Sequence, residues 1–321
     1  MYFFNDKKSI LPFLVNGVII EKIGPFNLFC ICKFLFMNFF KKLTKNQTFF
    51  IAEIGINHNG NIDNALKLIQ SAKLAGCDAV KFQKRTPEIA TPKSSWDVVR
   101  DTPWGKMKYI DYKKKIEFEK KEYDIIDKFC KKINILWTAS CWDAPSVKFI
   151  EKYKVKFHKV PSACITDISL LKELKKSKKP VIISTGMSTE KQIKKVVKFL
   201  SQKNLSILHC NSSYPAQNHQ LNLRYIKKLQ KMFSKSIVGY SGHEMNLTSS
   251  VAAVVLGAKI IERHITLDRS MWGTDQQASI EPLGFARLIK DVRAVEKSLG
   301  KPVKIVYPEE KKIMVKLRKY I

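Results

Sequence analysis

The chain has 321 residues, 45% of them hydrophobic, enough for a large core and far outside the disordered class. Its formal charge is +30, and 50 of its 58 basic residues are lysine, spread along helix-like segments such as 191–203 and 225–235 without any zinc-finger or RNA-binding signature. That pattern excludes specific nucleic-acid recognition and reads as solvated helix faces, whose positive field still attracts a small polyanion.

Residues 1–48 differ from the rest of the chain and are read as an N-terminal extension of uncertain structure. Their apolar run, Pro25 to Phe40, is interrupted by Lys33 and is shorter than the ~20 residues needed to cross a bilayer. Lys41, Lys42 and Leu43 stand where a signal peptide needs small residues, so the expected location is cytoplasmic, with no membrane partner. Met37 is an alternative start. The seven cysteines (Cys30, Cys32, Cys77, Cys130, Cys141, Cys164 and Cys210) are odd in number and suit reduced thiols.

From Phe49 a unit of apolar strand, polar loop and amphipathic helix recurs. Strand-like runs begin near Phe49, Asp78, Ile135, Phe157, Val181, Leu205, Ile237 and Lys259. Helical spacing lies between them, as in Ala65, Leu66, Ile69, Ala72 and Leu74, or Ile193, Val196, Val197 and Leu200. Eight such units predict an α/β fold, a closed (β/α)8 TIM barrel over residues 49–307, with 308–321 as a C-terminal tail. The connection from Lys84 to Phe118 is far longer than usual and carries Trp96, Arg100 and Trp104. It is either a lid over the site or a packing surface.

In such a barrel the strands' carboxyl ends build the active site. The last residues of the runs are Glu53 and Asn57, Lys81 and Gln83, Ser140, Lys159 and Ser162, Ser184 and Thr185, His209 and Ser212, Ser241 and His243, and Glu262 and His264. His243 and His264 end neighbouring strands. They are either a divalent-metal pair or hydrogen-bonded core histidines. Lys81 and Lys159 each break an apolar run, and a buried ammonium needs an anion. That anion is either Glu53 or Glu262, or a phosphate or carboxylate ligand. The turn at Ser184–Met187 leads into Thr189, a helix cap where an anion is favoured.

The motifs IAEIGINHNG (residues 51–60), DAVKFQ, HKVPSA, STGMST, LHCNSSYPA, VGYSGHE and ERHITLDRSMWGTDQ resemble the sialic acid synthases, over about residues 49–307. The resemblance implies condensation of phosphoenolpyruvate with an N-acyl amino-sugar aldehyde to a nine-carbon 2-keto acid plus phosphate. The family's metal ligands fall on His243 and His264, with Mn2+, Mg2+ or Co2+ as the metal. Its phosphoenolpyruvate contacts fall on Lys81, Ser140, Lys159, Ser162, Ser184, Ser212 and Ser241. Its sugar contacts fall on Gln83, Tyr214 and Asp275, and the first-strand acid is Glu53, read as a base for water or an acceptor for Lys81. The chain carries Cys164 where some members have Glu, and Ser212 where they have Asn. The resemblance further implies a homodimer and an antifreeze-like domain, here expected on a separate partner or replaced by the chain's own long loop. The rival readings are a 3-deoxy-2-keto acid phosphate synthase acting on a phosphorylated aldose and a non-catalytic sugar-binding barrel. No separate basic motif is set aside for a second phosphate, so the expected acceptor is neutral, N-acetylmannosamine or a 6-deoxy diacetamido hexose.

Overall fold

A computed structural model of the chain describes residues 39–320, together with a two-residue antiparallel ladder, Leu14–Val15 against Val18–Ile19. Cys30, Cys32 and Met37 lie outside the described residues. Eight parallel strands close into a barrel: β1 (Phe49–Gly55), β2 (Ala79–Lys84), β3 (Leu136–Cys141), β4 (His158–Val160), β5 (Val181–Ser184), β6 (Leu205–Cys210), β7 (Ile237–Gly242) and β8 (Ile260–His264). β8 pairs with β1, which seals the ring as the repeat predicted.

The outer helices are α1 (Ile62–Ala75), α2 (Lys120–Lys132), α3 (Ala144–Glu151), α4 (Ile168–Lys176), α5 (Glu190–Leu200), α6 (Tyr225–Met232), α7 (Thr248–Val255) and α8 (Pro282–Ser298). Local chemistry sets their starts. The Asn61 side chain accepts from the Asp63 and Asn64 amides at 2.8 and 3.1 Å to cap α1, and Thr189 caps α5 reciprocally with Gln192. Asp143 accepts from the Ser146 amide at 2.8 Å at the head of α3. No described helix is long and apolar enough to cross a membrane. The described cysteines (Cys77, Cys130, Cys141, Cys164 and Cys210) are buried and unpaired, in keeping with reduced thiols.

Successive strand residues point to opposite faces, so alternate positions line the barrel interior. Its lower layers are apolar: Phe49, Ile51, Ala79, Phe157, Ile182, Leu208 and Ile260 form one buried cluster. A short helix, Phe39–Leu43, closes this end. Phe40 is fully buried, and its ring meets Phe49 and Phe157 at centroid distances of 5.6 and 5.1 Å. The barrel packing therefore starts ahead of Phe49, inside the segment the sequence assigned to an extension. Thr48 is fastened to α8, its amide donating to Glu296 at 2.5 Å and its carbonyl accepting from Arg293 at 2.9 Å.

The long connection after β2 is ordered into a ribbon, Val99–Arg100 against Met107–Lys108, and a helix, Tyr109–Ile116. It lies over the loops of β1 and β8. Trp104 sits against Gly60, and the Tyr112 ring meets Trp272 edge-on at 5.4 Å. Beyond α8 the chain forms an exposed helix, Pro308–Leu317.

Candidate active site

Going up the inward positions of each strand, the apolar layers give way to a polar one at the carboxyl end. Glu53 continues Phe49 and Ile51, Lys81 continues Ala79, and Glu262 continues Ile260. Glu53 is paired in register with Lys81 on one side and His264 on the other, and Ser140 with Lys159. The four charges form one buried cluster. Lys81 meets Glu53, donates to Ser140 Oγ at 2.5 Å and lies 3.7 Å from Glu262, while Lys159 is 3.3 Å from Glu262. The carboxylates the sequence offered as partners are therefore in place. Burial pushes the Glu53 carboxyl up to about 7 despite Lys81. Against the same cost of burial, the ammoniums of Lys159 and Lys81 hold Glu262 down at about 2. One carboxyl inclined to take a proton and one firmly ionised is the division that acid–base chemistry needs. With Glu53 protonated, two ammoniums face one carboxylate, and the cluster is ready for an anion.

His243 comes just after the end of β7 and His264 ends β8, with ring centroids 5.5 Å apart. Nδ1 of His243 donates to the Asn211 carbonyl at 2.6 Å, which fixes the tautomer and leaves the Nε2 lone pair facing the Tyr214 hydroxyl at 2.8 Å. Nδ1 of His264 is buried with no hydrogen-bond partner among the described residues, and Asp275 Oδ2 lies 3.9 Å away. Burial, with His243 and Lys81 near, keeps His264 well below the usual imidazole range and hence neutral, the form that binds metals. Against the cost of burial, Cys210 and the Asn211 carbonyl hold His243 above the usual imidazole range. An orphaned nitrogen on His264 and, on His243, an Nε2 that meets only the Tyr214 hydroxyl together fit a divalent cation that keeps other positions for ligands and displaces a proton from His243. Among the described residues no group of three or more His, Cys, Asp or Glu side chains is arranged for a metal.

The histidines are braced from behind. Glu244 is the next residue after His243, Arg263 precedes His264, and these two neighbours form an ion pair at 2.9 Å with both side chains at 0% exposure. Arg263 also donates to Ser250 Oγ at 2.8 Å, and Tyr240 donates to Glu244 at 2.8 Å.

Glu53, Lys81, Gln83, Ser140, Lys159, Ser162, Ser184, Ser212, Tyr214, Ser241, His243, Glu262 and His264 line one cavity of about 160 Å3. A wider recess of about 990 Å3 adjoins it and shares Met187, Cys210 and Ser212. Gly186 lets Ser212 approach, since a Cβ there would fall 2.1 Å from the Ser212 hydroxyl, and its amide donates to Ser162 at 3.1 Å. Ser184 Oγ has no hydrogen-bond partner among the described residues. Gln83 donates to Glu53 at 3.3 Å, and its amide oxygen is held by Arg85.

Of the site residues that the resemblance implied, Asp275 alone is outside that lining; it stands on the segment between β8 and α8, beside His264. His209, the last residue but one of β6, turns outward, its ring between Tyr225 and Tyr240 and its Nε2 2.6 Å from the Leu221 carbonyl. Asn57 ties the β1 loop to Ile265 and Ser279 at 2.8 Å each. Trp142, Met187 and Cys210 also line the cavity. Alternation along β6 gave a signal for Cys210, two positions above Leu208.

The NeuB family profile matches residues 68–304. The chain belongs to the NeuB family. Among its relatives, the N-acetylneuraminate-9-phosphate synthase of Mus musculus is 40% identical over 282 residues, 86% of this chain and 78% of that one. The N,N'-diacetyllegionaminic acid synthase of Campylobacter jejuni is 35% identical over 280 residues, 85% of this chain and 84% of that one. The crystal structure of an N-acetylneuraminic acid (sialic acid) synthetase from Leptospira borgpetersenii, in complex with citrate, superposes with a TM-score of 0.75 at 31% identity, covering 86% of this chain and 94% of the other. The NeuB assignment agrees with the motif resemblance. It also means that the buried charge cluster and the histidine pair sit on the barrel wall of a sugar-acid synthase relative.

Proposed function

We propose that this NeuB-family chain condenses phosphoenolpyruvate with an N-acyl amino-sugar aldehyde, of the N-acetylmannosamine or 6-deoxy diacetamido hexose type, to a nine-carbon 2-keto acid and phosphate. The observation that carries the reading is the cluster of Lys81, Lys159, Glu53 and Glu262 at the same barrel mouth as His243 and His264.

Lys81 and Lys159, with Ser140, Ser162, Ser184, Ser212 and Ser241, hold the phosphate and carboxylate of phosphoenolpyruvate. The enol carbon adds to the aldehyde, and the oxocarbenium-like centre left behind takes up water. Phosphate then leaves with its carbon–oxygen bond broken. Glu53, in the ionised form that Lys81 beside it favours, receives the proton of that water and becomes neutral. Gln83, Tyr214 and Asp275 orient the acceptor's hydroxyl and acylamino groups. His243 and His264 would hold a divalent metal, Mn2+, Mg2+ or Co2+, which supplies Lewis-acid polarisation and a template for the aldehyde.

The test is direct. Protein mixed with phosphoenolpyruvate, Mn2+ and a panel of amino sugars, free and phosphorylated, should release phosphate and form a 2-keto acid in equal amounts. Absence of keto acid with every member of the panel would reject the reading.

A further inference from the structure

The cavity at the barrel mouth has two levels. Ser140 on β3 is paired in register with Lys159 on β4, and both belong to the charged lower level with Glu53, Lys81 and Glu262. Two residues further along these two chains, and also lining the cavity, stand Trp142 and Pro161. Gln83 stands in the same way above Lys81, and His264 above Glu262, because alternate residues of a strand share a face. In the proposed condensation phosphoenolpyruvate takes the charged level, so the acceptor meets the upper one.

One donor of that upper level is uncommitted. Nε1 of Trp142 is buried and has no hydrogen-bond partner among the described residues. Gln83 and Tyr214 differ. The Gln83 amide is engaged at both ends, by Glu53 and by Arg85, and the Tyr214 hydroxyl faces His243 Nε2 at 2.8 Å. The indole is also held in place. The Trp142 amide donates to the Lys84 carbonyl at 3.0 Å, and the guanidinium carbon of Arg85 lies 4.7 Å from the ring centroid, a cation held against an aromatic face.

A buried N–H without an acceptor is costly, and a ligand that supplies one removes the cost. Indole donates and cannot accept, so the atom it meets must be an acceptor. Phosphate and carboxylate oxygens belong with the ammoniums of the lower level. On an amino sugar the strong neutral acceptor is the acyl carbonyl, and it carries an alkyl group that needs an apolar surface. The Trp142 ring and Pro161 offer that surface beside the N–H.

We propose that Trp142 reads the acylamino group of the acceptor, its indole N–H donating to the acyl carbonyl while its ring, with Pro161, covers the acyl methyl. The inference rests on the proposed condensation and names the residue that tells an N-acyl amino sugar from the plain hydroxy sugar. Trp142 takes no part in making or breaking bonds.

Steady-state kinetics with saturating phosphoenolpyruvate and Mn2+ should compare N-acetylmannosamine with mannose, both free or both as 6-phosphates, whichever series the enzyme condenses. The wild type is expected to favour the acetamido sugar at least about tenfold in kcat/KM. Trp142→Phe keeps an aromatic face and deletes the N–H. It should cut the preference about three- to tenfold, the scale of one neutral hydrogen bond, by raising KM for the acetamido sugar and leaving KM for phosphoenolpyruvate in place. Circular dichroism checks the fold, and the assigned indole N–H resonance of Trp142 gives a reading in the wild type itself. That resonance should move with N-acetylmannosaminitol, an alditol without the reactive aldehyde, and stay with mannitol. A wild type that uses both sugars equally, a preference unchanged in Trp142→Phe, or an indole resonance that ignores the acetamido alditol overturns the inference and leaves the condensation standing. Failure to condense any acceptor overturns both.

Discussion

Glu53 on β1 is paired in register with Lys81 on β2, and their charged ends meet inside the barrel. Removing the ammonium strands a carboxylate as well as a ligand contact. Lys81→Met should therefore lower kcat and raise KM for phosphoenolpyruvate, and Lys159→Met should do the same. Each loses about 1.5 to 3 kcal/mol of charge-assisted contact. Isothermal titration with phosphoenolpyruvate measures this, and normal binding by either variant would show that its lysine serves the ion pair alone.

The histidine pair sets a second expectation. His243→Ala and His264→Ala should each weaken Mn2+ binding at least about tenfold by calorimetry, as loss of one of two protein ligands implies, while the barrel stays folded. Chelation should silence the wild type and added Mn2+, Mg2+ or Co2+ should restore it. Full turnover after exhaustive chelation would remove the metal from the mechanism.

The raised Glu53 carboxyl gives a pH dependence with a definite sign. Burial places it near 7, so acid protonates it, cancels its charge toward Lys81 and deprives water of a base. kcat/KM should rise with pH through about 7 and then level. Glu53→Gln should cut the rate by about 10²–10⁴ and flatten that limb. A rate profile in the variant that still climbs through pH 7 assigns the titration to another group.

Stability tests the foot of the barrel. Phe40 is fully enclosed by Phe39, Phe49 and Phe157, so Phe40→Ala should cost about 3 to 5 kcal/mol. Thermal unfolding should fall by at least about 6 °C. A smaller change would mean that the neighbouring rings close the space.

Much of the site was legible in the sequence, because a barrel strand alternates. Lys81 in AVKFQ and Lys159 in HKVPS stand at inward positions, and that parity aims both at the same point as Glu53 and Glu262. The histidines were legible for the same reason, ending adjacent strands. His209 shows the limit: it lies near the end of a strand too, but one residue out of phase with Leu208 and Cys210, and it faces the helices. Convergence within the 84–118 connection was not legible, since a segment without a repeating period gives no rule for which of its residues meet. The helix at Phe39–Leu43 was missed because its aromatic run matches neither strand nor amphipathic period.

The ion pair between Arg263 and Glu244 has a consequence for how such a catalyst can change. Each partner is the chain neighbour of one histidine, so the spacing of the histidine pair is inherited from the barrel wall and not from the loops above it. Tyr214 and Asp275, by contrast, stand on loops beyond the strands, which the wall does not specify. The histidine pair and the loops above it are thus separate mechanical parts, and the loops can drift through substitution while the pair is held still.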